Sequence, residues 1–187
     1  GGPASAPSVV RRGGTTGHQK GKTAAGAAEA VDECGGSVAI SGDTVVVGSR
    51  YDDDAGTSSG SAYVFVRSAN TWSQQQKITA GDVTVGDEFG SSVTINGDTI
   101  PVGSLFDDDG GDNSGSAYVF VRSASTWSQQ QKITAGDPSA GEGFGLSIAF
   151  SGNIKIVESK SDGGLDEAPA SGYGSGSNTG SAYVFVQ

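Results

Sequence analysis

The chain has 187 residues, 32 of them glycine, and its 21 acidic against 11 basic residues leave a net charge of −10. That balance excludes a broad basic face for nucleic acid or anionic membrane. No apolar run approaches the roughly 18 residues of a membrane-spanning helix, and the single cysteine, Cys34, excludes an intrachain disulfide.

Residues 1–16 read as a flexible basic arm containing Arg11 and Arg12. Residues 17–33, with His18, Lys20 and Lys22, read as a degenerate outer strand and linker. No aromatic residue interleaves these cations, so they do not form a nucleic-acid motif.

From there a repeat takes over. GSAYVFVRSANTWSQQQKITAG from Gly60 recurs from Gly115, and 21 of 24 positions from Thr57 to Ala80 match those 55 residues later. The same offset aligns DECGGSVAISGDT, DEFGSSVTINGDT and EGFGLSIAFSGN. Cys34 therefore fills a slot held elsewhere by Phe89 and Phe144, and it is expected to be a small buried hydrophobe. The period divides the chain into units 34–88, 89–143 and 144–187, the last incomplete and carrying an expanded loop.

Each unit predicts four short strands. In the first unit these are Ser37 to Ile40, Thr44 to Val47, Ala62 to Val66 and Trp72 to Thr79. Ser41-Gly42-Asp43 makes the first turn, and the corresponding Asn96-Gly97 is a strong hairpin signal. Val45, Val46 and Val47 are apolar on both faces, as are Tyr63 to Val66, so each sheet needs covering on two sides. Without an amphipathic helix to supply the cover, other sheets must do so, as in blades stacked about an axis. A two-layer sandwich is the alternative, but it would usually leave one face of each sheet exposed. The fold class expected is therefore all-β, with β-propeller blades of four antiparallel strands.

With Phe89-Gly90-Ser91-Ser92 as the FG element and Val47-Gly48-Ser49-Arg50 and Val102-Gly103-Ser104-Leu105 in the GAP region, the chain resembles the FG-GAP repeat family. The likeness is closest to the family's microbial and environmental form, and the family is best known from the ligand-binding heads of integrin alpha chains. It implies a propeller. Integrin-like repeats often hold calcium between their first two strands, but here that connection is too short for the cage. Two departures stand out: Pro101 replaces Val46 inside a strand, and Val157-Glu158 replaces the glycine-led turn in the third unit. Tyr118 and Tyr183 are 65 residues apart, ten more than the period.

The acidic loops hold Asp52, Asp53 and Asp54 in one unit and Asp107, Asp108, Asp109 and Asp112 in the next. Clustered carboxylates with loop carbonyls suit calcium, though the spacing meets no EF-hand template. The other reading is a solvated, turn-forming loop. Trp72 and Trp127 are either packing residues or a repeated glycan platform. His18, the only histidine, has no nucleophile arranged around it, and consecutive aspartates do not make a glycosidase pair. No enzyme is expected.

Two function classes follow. One is a noncatalytic extracellular or surface module that binds protein or glycan. The other is a structural subunit that assembles into oligomers or filaments, with an outer strand from one molecule completing the last blade of another.

Overall fold

The turn at Gly42 joins β1 (Ser37–Ser41) to β2 (Thr44–Ser49), giving the hairpin that the sequence predicts. In the computed structural model, which describes residues 32–162 and 179–186, the pattern then repeats. The acidic loop leads from β2 to β3 (Ser61–Ser68), which returns through Ala69-Asn70 into β4 (Thr71–Ile78). The second unit contributes β5 (Phe89–Val93), β6 (Thr99–Ser104), β7 (Ser116–Ser123) and β8 (Thr126–Ile133). The third contributes β9 (Phe144–Ser151), β10 (Ile154–Asp162) and β11 (Thr179–Val186). They form antiparallel sheets of four, four and three strands, in the orders β1-β2-β3-β4, β5-β6-β7-β8 and β11-β10-β9. Residues 1–31, with the predicted arm and most of the leading outer strand, lie outside the described residues, as does most of the expanded loop.

The three sheets pack face to face in chain order, so a sheet's leading face is the one on the side of the preceding unit and its trailing face the one on the side of the next. Period-two alternation of the strands sets which side chains go where. The trailing face of the first sheet presents Val46, Ala62, Val64 and Ile78; the leading face of the second covers it with Ile100, Val102, Tyr118, Phe120 and Trp127. At the next junction Ala117, Val119 and Ile133 meet Val157, Tyr183 and Phe185. The FG phenylalanines belong to these faces. Phe89 lies edge-to-face against Tyr118 and Phe120, and Phe144 does the same against Tyr183 and Phe185.

The motif glycines have a steric reason. A Cβ at Gly48 would lie 2.0 Å from the Gly90 carbonyl oxygen, and one at Gly103 would lie 2.2 Å from that of Gly145. Backbone of one unit thus rests directly on backbone of the next. Ser37 and Ser92 fasten the contact by donating to the Gly90 and Gly145 carbonyls at 2.8 and 2.7 Å.

Two sequence features behave distinctly. Cys34 is exposed, which corrects the expectation of a buried hydrophobe. Its short thiol supplies no ring to wedge against Tyr63 and Phe65, and β1 begins only at Ser37, whereas β5 and β9 begin at their phenylalanines. Pro101 lies within β6 opposite Val119, where its missing N–H removes one rung toward β5. Thr94 still donates to the Pro101 carbonyl, but β5 stops at Val93 and pairing resumes only as an isolated Asn96–Thr99 bridge.

Candidate functional site

The acidic loops are built around a buried aspartate. Asp52 follows β2 and is 2% exposed. Its Oδ2 accepts hydrogen bonds from Ser61 Oγ at 2.9 Å and Tyr63 OH at 2.7 Å, while Oδ1 accepts from Lys77 Nζ at 2.8 Å and from the Asp54 amide. The second unit repeats the arrangement. Asp107 accepts from Ser116 Oγ at 2.9 Å, Tyr118 OH at 2.6 Å, Lys132 Nζ at 2.9 Å and the Asp109 amide. Each tyrosine and serine comes from the third strand of its unit and each lysine from the fourth, so the period fixes the hub.

Burial by itself would raise both carboxyls. Hydrogen bonds from Lys77, Tyr63, Asp54 and Ser61 outweigh it at Asp52, and those from Tyr118, Lys132, Asp109 and Ser116 do so at Asp107; both sit below the ordinary range. Burial together with the Asp52 carboxylate pushes the Tyr63 hydroxyl up to about 12. Burial would lower Lys77 and Lys132, but their hydrogen bonds to carboxylates win and raise both.

The other predicted aspartates divide by role. Asp53 and Asp108 accept from the Ser58 and Asn113 amides at 2.7 and 2.6 Å, holding two left-handed residues in the loop turn. Asp54 and Asp109 each reach their unit's lysine at 2.5 Å. Asp112 leaves its carboxylate exposed, and its backbone carbonyl accepts from the Gly141 amide in the segment before β9.

Asp82, absent from the sequence-based candidates, joins the second hub. Carboxylate oxygens of Asp82, Asp107 and Asp109 lie within 4.8 Å of one another, a grouping that could hold a metal ion. Lys132 Nζ already reaches all three, at 2.9, 2.9 and 2.5 Å. Calcium, which takes six to eight oxygen ligands, would have to displace that ammonium. The structure therefore brings Asp107 and Asp109 together with Asp82, and Asp52 with Asp54. It turns Asp53, Asp108 and Asp112 to other tasks. The turn aspartates Asp43 and Asp98 are paired with Arg67 and Arg122, through Nε at 2.6 and 2.7 Å.

The tryptophans also part company. Trp127 is 2% exposed within the junction of the first and second sheets. Its Nε1 donates to Gln75 Oε1 at 2.9 Å, and Gln76 exchanges two hydrogen bonds of 2.8 Å with its backbone. No ring face is open there for a sugar. Trp72 is half-buried against Phe65 and its neighbours, with the Arg67 guanidinium 5.6 Å from its ring centroid.

The hub lysines and tyrosines were missed because each is ordinary in its own strand; their exact recurrence in SAYVF and QQQKI was the available signal. The third unit's tyrosine also finds carboxylates. Tyr183 OH donates to Glu142 Oε1 at 2.9 Å and Asp137 Oδ1 at 3.2 Å, both in the segment before β9.

Among curated proteins, none matches the chain. The FG-GAP repeat matches it three times, over residues 18–65, 72–120 and 127–185, with three antiparallel sheets at the repeat's spacing. Repeats of this kind are noncatalytic structural modules, and the chain belongs to the FG-GAP repeat family.

Proposed function

We propose that this chain is a noncatalytic extracellular or surface module, of propeller type, that binds a protein partner through its acidic loops. The supporting observation is the duplicated hub. Asp52 and Asp107 are spent inside on tyrosine, serine and lysine, and this internal bonding makes the loops rigid while Asp53, Asp54, Asp108, Asp109 and Asp112 stay exposed. A rigid acidic rim on a chain of net charge −10 suits a basic surface. Calcium is not needed in this reading, because Lys77 and Lys132 supply the positive charge from within.

The test is a binding screen of the immobilised chain against basic proteins, neutral proteins and glycans at two salt concentrations. The expected ligand is a basic protein whose binding weakens with salt and falls roughly tenfold when Asp53, Asp54, Asp108 and Asp109 become asparagine. Capture of glycans alone, or binding indifferent to those changes, would overturn it.

A second reading, self-assembly, has its own support. β4 and β8 pair with β3 and β7, but among the described residues no strand pairs with the corresponding edge of β11. The edge of a sheet is a template for another chain's strand.

A further inference from the structure

The two internal junctions follow one rule. Val46 and Val64 on the trailing face of the first sheet are fully buried, and Val119 on that of the second is 1% exposed. In the third sheet the same repeat positions hold Ile156 and Val184, which are 40% and 63% exposed. The opposite surface shows the reverse half of the pattern. Ile95, on the leading side of the second sheet, is 8% exposed within the junction core, whereas its counterpart Ile40 in the first sheet is 65% exposed, as is Val38.

The charges agree with the apolar pattern. At the first junction Arg50 Nη1, just after β2, lies 3.7 Å from Glu88 Oε2, just before β5 of the next sheet. At the second, those positions hold Leu105 and Gly143, which also meet. At the two outer surfaces they hold Lys160 and Glu33, again opposite in sign, although Glu33 Oε2 already accepts from Arg50 Nη2 at 2.8 Å.

We propose that the trailing face of the third sheet docks the leading face of the first sheet of a second copy of this chain. The inference rests on the self-assembly reading but needs no shared strand. It extends, between molecules, a junction that the chain already makes twice within itself. Glu158 sets its strength. It stands where Gly48 and Gly103 admit a carbonyl of the next unit, so the incoming copy sits farther out and the joint is looser than those inside. Such a contact is heterologous and propagates head to tail unless it closes. Two copies that close both joints assemble six sheets, within the usual range of about four to eight blades in a ring.

Sedimentation velocity of the whole chain over rising concentration tests this. The wild type is expected to form species of two or more copies. Ile40→Asp, which spoils the leading face, and Val184→Asp, which spoils the trailing face, should each remain single. An equimolar mixture of the two should give a one-to-one pair and nothing larger, because each variant keeps one sound face. Glu158→Gly should associate at roughly tenfold lower concentration, equivalent to about 1.4 kcal/mol. Unchanged circular dichroism melts establish that the variants are folded, and Glu158→Gly supplies a gain that misfolding would not imitate. A wild type that stays single at every concentration overturns both this proposal and the self-assembly reading. Association that ignores the face variants overturns the face proposal alone and leaves strand sharing standing.

Discussion

The junction between the first and second sheets and that between the second and third use the same plan with different fillings. In both, a phenylalanine from the FG element stacks on a tyrosine and a phenylalanine of its own sheet. At the first junction Ile100 and Trp127 complete the leading face. At the second, Lys155 stands in the place of Ile100, and among the described residues no fourth strand brings an indole. Lys155 is 1% exposed, with its ammonium 5.5 Å from the Phe150 ring centroid. The FG aromatics and the glycine contacts align both pairs of sheets, while the fourth strand and an apolar second strand set how firmly they hold.

Removing the indole should erase most of that difference. Trp127→Ala is expected to destabilise the chain by about 3–5 kcal/mol, the range for an aromatic truncated in a packed core, and it strands Gln75 as well. Trp72→Ala, on the half-buried counterpart, should cost clearly less. Urea unfolding of both variants checks the order, and equal losses would mean that Trp127 does not secure the junction.

The next largest effect concerns the hub, which the first two units share. Lys132→Met leaves three carboxylates without their cation and should cost about 3 kcal/mol, the low end for a buried ion pair that loses one partner, because only Asp107 of the three is buried. Calcium should raise the melting temperature of this variant and not that of the wild type. The sign with pH follows from Asp52 and Asp107, whose folded carboxyls lie below the ordinary range. Their contribution is fully present above the unfolded value of about 3.9 and is lost as pH falls through the folded one. Asp107→Asn should flatten the acid limb of a stability-against-pH curve.

Strand positions, turns and the period were legible because they depend on alternation, on Asn96-Gly97 and on near-identical segments of chain. The acidic loops were legible as loops. Their internal chemistry was not, because it depends on which of three adjacent aspartates turns inward. Only the folded register places Asp52 beneath Tyr63 and Lys77, leaving Asp53 to cap the loop turn. Cys34 misled for a related reason. Alignment located its slot, but a slot shaped for a ring does not bury a thiol. The tryptophans were indistinguishable in sequence, since their difference lies in the neighbour: Trp127 has Gln75 and Gln76 of the preceding unit across from it.

Repairing the weaker junction should give a smaller effect of opposite sign. Lys155→Ile restores the residue of the first junction and is expected to stabilise the chain by about 1.5–2 kcal/mol, the lower part of the range for burying an aliphatic side chain. Desolvation lowers the folded Lys155 ammonium below its ordinary value. The unfolded chain therefore holds its proton more tightly, and this residue's penalty fades as pH rises through the folded value toward about 10.4. The variant should lose that alkaline gain; a gain retained in full would assign it to another group.

The smallest effect tests the first junction at its one dissonant point. Glu88 is 8% exposed in a left-handed backbone conformation, and its Oε2 has no hydrogen-bond partner, with Arg50 only at 3.7 Å. Burial raises this carboxyl, and the Arg50 charge offsets the rise only in part. A raised carboxyl binds its proton more tightly when folded, so its contribution declines as pH climbs from the unfolded value of about 4.3 through the folded one. Glu88→Gln removes the titration and the desolvated charge but keeps the shape. Stability at neutral pH should change by less than about 1 kcal/mol, while the decline above about pH 4.3 should disappear. A large loss at neutral pH would instead make the Arg50–Glu88 pair a fastening of the junction, although Arg50 holds Glu33 more closely, at 2.8 Å.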